Sequence, residues 1–276
     1  MNKILAIAKK EFMDNWRNKW IIALSAIFLI LTLVISYFSK GEWQSLSATI
    51  VGMMSFVEFL IPILGLMLGY ATIAGEKERG SLAIVLSYPV KRWEVLLGKF
   101  LGLSCVIASS IFIGFGIAGI VIGMNVKEVK WMEYFSFIAL SILLGIVYVA
   151  ISIMISSLFK KRATAMGGAI FTWFLFSMIW GIILFGLLII IYKSNPLQIL
   201  NDNFLAPNWF YILSALNPVS AFESLVYLNV TPLRGGVPIQ INYPSFYNNT
   251  FLFSMLLMWI ILSLVLAYLF FKNRDI

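Results

Sequence analysis

Ile50-Val-Gly-Met-Met-Ser-Phe-Val-Glu-Phe-Leu-Ile-Pro-Ile-Leu-Gly-Leu-Met-Leu-Gly-Tyr-Ala-Thr-Ile73 runs directly into Ala74-Gly-Glu-Lys-Glu-Arg-Gly-Ser-Leu82, an apolar run that gives way at once to a charged one. The first 24 residues carry one charge, Glu58, and a helix needs about 20 apolar residues to cross the hydrocarbon core. The charged run behind them is too costly to place in lipid, so the chain must reach a membrane surface there. Five further runs meet the same requirement: Trp20–Phe38, Phe100–Gly123, Phe135–Phe159, Ala165–Tyr192 and Phe251–Phe271. The first is too long and too uncharged for a signal-peptide core, and reads as a retained span.

The totals agree. Of 276 residues, 61% are apolar and 12% charged, about half the charge of a soluble domain, and the mean hydropathy is +0.96. A soluble enzyme, a DNA-binding domain and a disordered chain are excluded. The expected fold is an all-α integral membrane protein with six transmembrane helices, forming a single domain over residues 1–276. There is no histidine and one cysteine, Cys105, so histidine triads, histidine metal sites and an internal disulfide are impossible. No GxxxxGK[ST] loop or GxSxG elbow is present. Gly114-Phe-Gly116-Ile-Ala-Gly119 matches GxGxxG but lies inside a span without a preceding strand, so it does not indicate a dinucleotide site. Small residues four apart, as at Gly65/Gly69, Gly98/Gly102 and Gly119/Gly123, instead suit close helix packing.

The net charge of +8 implies orientation, not nucleic acid. With both termini inside, the inner segments hold Lys3, Lys9, Lys10, Arg17, Lys19, Lys77, Arg79, Lys91, Arg92, Lys99, Lys160, Lys161, Arg162, Lys272 and Arg274. Only Lys40, Lys127, Lys130, Lys193 and Arg234 fall outside. This bias predicts a multi-pass protein of the plasma membrane with cytoplasmic termini. Residues 1–19 put Ile4, Leu5, Ala8, Phe12 and Trp16 on one side of a helical wheel and Lys3, Lys10, Asp14 and Arg17 on the other. That pattern suits a helix lying at the lipid headgroups.

Three places carry candidate function. Residues 74–99 mix charge with an apolar centre and break at Ser87-Tyr88-Pro89, predicting a helix-turn-helix across the inner surface, restarting at Lys91–Leu97. Residues 193–250 hold six of the eight prolines. There, Ser214–Leu216 and Ala221–Leu228 flank Asn217-Pro218 as half-helices of an outer re-entrant or lid segment that includes Trp209. Asn229-Val-Thr231 and Asn248-Asn-Thr250 in the same segment are glycosylation acceptor patterns. Glu58 precedes Pro62 by one helical turn, so its carbonyl loses a backbone donor and the helix can bend there. Glu58 reads either as a point on a substrate route or subunit interface, or as a structural hydrogen bond to a Ser, Thr or Tyr.

Glu76-Lys-Glu78-Arg79-Gly80-Ser81-Leu82, then Leu86-Ser87-Tyr88-Pro89-Val90-Lys91-Arg92 and Gly98-Lys99, resembles the signature of ABC type-2 permeases, with Ser81 where threonine is commoner. The likeness extends over the chain, and the outer loop with Asn217-Pro218-Val219 resembles that of permeases from nitrous oxide reductase maturation systems. The resemblance implies an exporter subunit that is not itself an enzyme and binds no cofactor. ATP and magnesium would sit on a separate ABC ATP-binding subunit docked on residues 74–99, the coupling segment. Two permease copies, identical or related, would pair with two such subunits among membrane lipid. On this resemblance Glu76, Glu78, Arg79 and Arg92 would supply polar contacts to the ATPase, and Leu82, Leu86, Pro89 and Val90 shape, with substitutions at Gly80 or Pro89 expected to uncouple ATP hydrolysis from transport. A channel or secondary carrier, a membrane-embedded enzyme and a non-transporting assembly subunit are the competing classes; scarce charge inside the spans disfavours a carrier.

Overall fold

The computed structural model describes residues 3–17, 19–38, 46–82, 87–125, 130–192, 206–230, 233–234, 237–238 and 243–272. Helices account for almost all of it. α1 (Lys3–Arg17) and α2 (Trp20–Phe38) are followed by α3 (Leu46–Gly69), the short α4 (Ala74–Glu78) and the 34-residue α5 (Arg92–Asn125). Next come α6 (Trp131–Leu158), α7 (Arg162–Phe174), a π turn (Leu175–Ile179) and α8 (Trp180–Tyr192). The outer segment contains α9 (Asn208–Ala215) and α10 (Pro218–Asn229), and α11 (Asn249–Lys272) ends the bundle. A two-residue antiparallel pairing, Leu233–Arg234 with Val237–Pro238, is the one departure from an all-helical chain among the described residues.

Five helical stretches are long and apolar enough to cross a membrane; α1 and α2 together supply a sixth, bent by 64°. Lys19 makes that bend with a positive φ of 58°. At the bundle's centre lies α6, with 72% of its most apolar window buried, whereas the α7–α8 stretch buries only 17% of its own. Small residues let the neighbours approach. Gly65 and Gly69 of α3 rest on Gly145, Tyr148 and Ser152 of α6, so a methyl at Gly69 would collide with Ser152. Gly98 and Gly102 of α5 rest on α1, while Gly119 and Gly123 face Tyr134 and Trp131 of α6. A ladder of rings, Phe28, Phe115, Phe137 and Phe222, crosses from α2 to α10 with centroids 5.0–6.3 Å apart.

Several expectations are revised. Lys91–Leu97 is no separate surface helix: α5 starts at Arg92 and continues through the third span, about 51 Å at 1.5 Å per residue. The reason is local, because no breaker follows Pro89 and the glycines at 98 and 102 are filled by α1 rather than left to water. Pro62 sits inside an unbroken α3, and the interruption falls later, at residues 70–73. The outer half-helices are longer than expected, yet still part at Leu216 and Asn217. On α10, Val219, Phe222, Leu225 and Val226 are buried in the bundle, so it wedges between the spans.

Candidate functional site

The four basic segments expected on one side of the membrane meet at one end of the bundle. Lys3 of α1 donates to the Pro89 carbonyl. From the start of α5, Arg92 donates to the carbonyls of Phe271 at 2.5 Å and Lys272 at 2.8 Å, with its guanidinium 5.5 Å from the Phe271 ring. A cation at a helix C-terminus complements both the free carbonyls and the dipole. Glu78 accepts from the backbone N–H of Arg162 at 2.9 Å, serving the N-terminus of α7.

Beneath this surface lies a buried ion cluster. Lys99 is 2% exposed, and its ammonium contacts Glu11 of α1 at 2.8 Å and Glu76 of α4 at 2.6 Å. The other Glu76 oxygen is buried with no hydrogen-bond partner among the described residues. One lysine thus joins α1, α4 and α5. A second joint lies just above it. Ser156 of α6, fully buried, accepts from the N–H groups of both Ile73 and Ala74 at 2.9 and 3.0 Å. These donors open a new helix and have no partner within it, so the hydroxyl acts as a cap reaching across from another helix.

The turn itself is shaped by backbone. Gly80 has a φ of 72° and its N–H bonds to the Lys77 carbonyl, closing the end of α4. Around Pro89, the Val90 N–H bonds to the Tyr88 carbonyl at 2.7 Å, a three-residue turn. Glu94 then accepts from the Lys91 N–H at 2.7 Å, half of a capping box for α5.

The expected contact residues consequently separate into two sets. Arg79 and Pro89 are exposed; Glu76 is turned onto Lys99, Leu82 is 2% exposed within the core, and Val90 packs against that core. Glu78 and Arg92 are spent largely on the ends of neighbouring helices. Leu86 lies outside the described residues. Two aromatics that sequence inspection passed over, Tyr88 at 65% and Trp93 at 40%, are the large exposed groups at the turn.

At the opposite end the Asn217-Pro218 break is tied into the spans. The Asn217 side chain accepts from the Val219 N–H at 2.9 Å and donates to the Phe176 carbonyl at 2.8 Å. Phe176 belongs to the π turn, where the wider helix repeat makes carbonyls available. Trp180 and Trp259 donate to the Leu213 and Leu216 carbonyls. Pro218 starts α10 in the position where a missing N–H costs nothing. Trp209 is half-buried and edges onto Phe210 at 6.2 Å. Glu223 on α10 lies within electrostatic reach of Glu58 on α3. Burial holds the Glu223 carboxyl above its ordinary range. Among the described residues no three acids or cysteines converge to hold a metal.

The comparisons fit this architecture. The sequence profile of the ABC-2 family transporter proteins matches residues 5–276. A protein of Stutzerimonas stutzeri named "Probable ABC transporter permease protein NosY" is 34% identical over 285 residues, covering 99% of each chain. One of the same name from Pseudomonas aeruginosa is 31% identical over 293 residues, covering all of both. A helical bundle with apolar spans, a structured charged segment after the second of them and no nucleotide-binding loop of its own therefore belongs to the ABC-2 transporter family, as a non-enzymatic ABC transporter permease of the multi-pass membrane type.

Proposed function

We propose that this permease is the membrane half of an ATP-driven exporter, with two copies and two separate ATP-binding subunits forming the working unit. ATP and magnesium belong to those subunits, which dock at the basic end of the bundle. The observation that carries this reading is the Lys99 cluster, which binds α1, α4 and α5 together directly behind the exposed turn. Arg79, Tyr88, Pro89 and Trp93 form the outer contact, with exposed aromatics as anchors and the arginine guiding approach. Glu76, Glu78 and Arg92 hold the platform from behind, and Leu82 and Val90 seat it. Force on the turn then moves α1, α4 and the long α5 as one body, and the 70–73 interruption lets that body shift relative to α3.

The basic end lies in the cytoplasm, with both termini, and the protein in the plasma membrane; the excess of Lys and Arg at that end supports this orientation. The most exposed apolar stripe, Ile182, Ile183, Ile190 and Ile191 of α8, fits a second copy; lipid covers the remaining apolar surface, and the amphipathic α1 lies at the headgroups. Leu5 and Trp16, 60% and 50% exposed, face that layer. Glu58 and Glu223, with Asn217-Pro218 above them, mark the outward part of the route. The reading is tested by purifying the tagged protein in mild detergent from cells that express its genomic neighbours, then assaying the eluate for ATP hydrolysis. Co-purification of an ATP-binding subunit, lost in a combined Arg79→Ala, Tyr88→Ala variant, is the expected result. A permease that elutes alone and inert to ATP removes the proposal.

A further inference from the structure

Where α1 and α2 meet α3 and α7, a cavity of about 290 Å³ opens at the basic end, walled by Asn15, Leu24, Leu64, Met67, Tyr70 and Arg162. Met67 and Tyr70 also line a second groove of about 160 Å³ that continues between α3 and α7, along Ile63, Met166, Ile170 and Trp173. The first hollow offers a guanidinium, a phenol and a carboxamide; the second has no charged side chain. A polar mouth leading into an apolar trough has the outline of an amphiphile.

The charge at the mouth is held ready. Arg162 donates through Nε and Nη2 to the Tyr70 hydroxyl at 3.3 and 3.0 Å, and its guanidinium lies 5.7 Å from that ring's centroid. Among the described residues it enters no ion pair. Glu78, the acid beside it, accepts from its backbone N–H instead. The exposed Lys160 and Lys161 precede it and add positive potential. Trp173 bounds the groove, with its indole N–H bonded to the Phe59 carbonyl at 3.1 Å and its ring edge-on to Phe59 at 4.7 Å. Apart from the Tyr70 hydroxyl at its mouth and this bonded indole, the trough is lined by apolar side chains.

We propose that this paired cavity holds one anionic phospholipid of the inner leaflet, its phosphate on Arg162 and one acyl chain lying between α3 and α7. A guanidinium fork matches a phosphate in geometry as well as charge. An uncharged amphiphile would leave the arginine unpaired, and a free phosphate would leave the trough empty. The proposal rests on the basic end lying at the inner membrane surface, but its readout is lipid retention, which is independent of ATP coupling.

The test is native mass spectrometry of the delipidated full-length protein titrated with phosphatidylglycerol, phosphatidylcholine or inorganic phosphate. The expected result is one phosphatidylglycerol per chain, with phosphatidylcholine, whose choline cation meets the positive potential of Lys160 and Lys161, retained about tenfold less. Arg162→Ala abolishes the preference, and Arg162→Lys retains part of it. Because Arg162 also braces Tyr70, Met67→Trp supplies an independent check: Met67 is 52% exposed at the junction of the two hollows, so this variant loses the lipid without a change in melting temperature. Equal retention of the two lipids, displacement of phosphatidylglycerol by inorganic phosphate, or undiminished binding in Met67→Trp each overturns the proposal. So does efficient disulfide formation between copies through Met166→Cys in a Cys105→Ser background, which would give the groove to a second chain.

Discussion

Ser156 accepts two backbone N–H groups from a neighbouring segment, and both would be left buried and unpaired by Ser156→Ala. An unsatisfied buried donor costs about 1–3 kcal/mol, so thermal unfolding in detergent should show a lowered melting temperature for this variant. Lys99 poses a larger risk because its removal leaves two carboxylates facing each other in the protein. Lys99→Met should cost about 3–5 kcal/mol, as for breaking a buried ion pair. Adding Glu11→Gln and Glu76→Gln should restore most of that loss, whereas an undisturbed single variant would show that the cluster bears no strain. At the other end, burial makes folded Glu223 bind its proton more tightly than the unfolded chain does. Its contribution is therefore complete below the unfolded value near pH 4.3 and declines as pH rises through the raised one. Glu223→Gln should flatten that decline, so its melting temperature should exceed the parent's at about pH 8 and match it at about pH 4.

Between the spans, α4 and the start of α5 show what could be read from sequence and what could not. The breaks at Pro89 and Asn217-Pro218 were legible because proline acts through its own backbone, whatever surrounds it, whereas the turn at Gly80 emerged only with its positive φ. With φ at 72° and open space around it, Gly80→Ala should cost about 1–2 kcal/mol through backbone strain alone. Comparing its coupled ATP hydrolysis with that of Gly80→Asn, which tolerates this conformation, would separate the turn's shape from its chemistry. The inward turn of Glu76 and Leu82 was not legible, because it depends on Lys99 lying 23 residues away and on α1 packing beside it. Nor was Ser156: a serine in an apolar helix looks like filler until the interruption at 70–73 is set against it. Glu223 escaped notice for the same reason, since only the wedge of α10 into the bundle brings it near Glu58.

Taken whole, the molecule has two differently built ends. At the basic end, charge is clustered and paired, and four chain segments are joined by side chains of Lys3, Glu78, Arg92 and Lys99. At the other, aromatic rings and the Asn217 node knit α9 and α10 to the π turn and α11. The apolar helices and the gathering of the basic segments at one end of the bundle followed from hydropathy and charge, which act one segment at a time. The continuous α5 and the buried α10 depend on tertiary packing, which no single window contains. Export driven by ATP requires that an ATP-binding subunit press on the basic end. A photo-crosslinking residue at Tyr88 in the assembled complex tests it most directly, with the same residue at Trp209 as the comparison. The expected result is an adduct with the ATP-binding subunit from Tyr88, strengthened or weakened by ATP, and none from Trp209. An adduct from Trp209 with none from Tyr88 would contradict it.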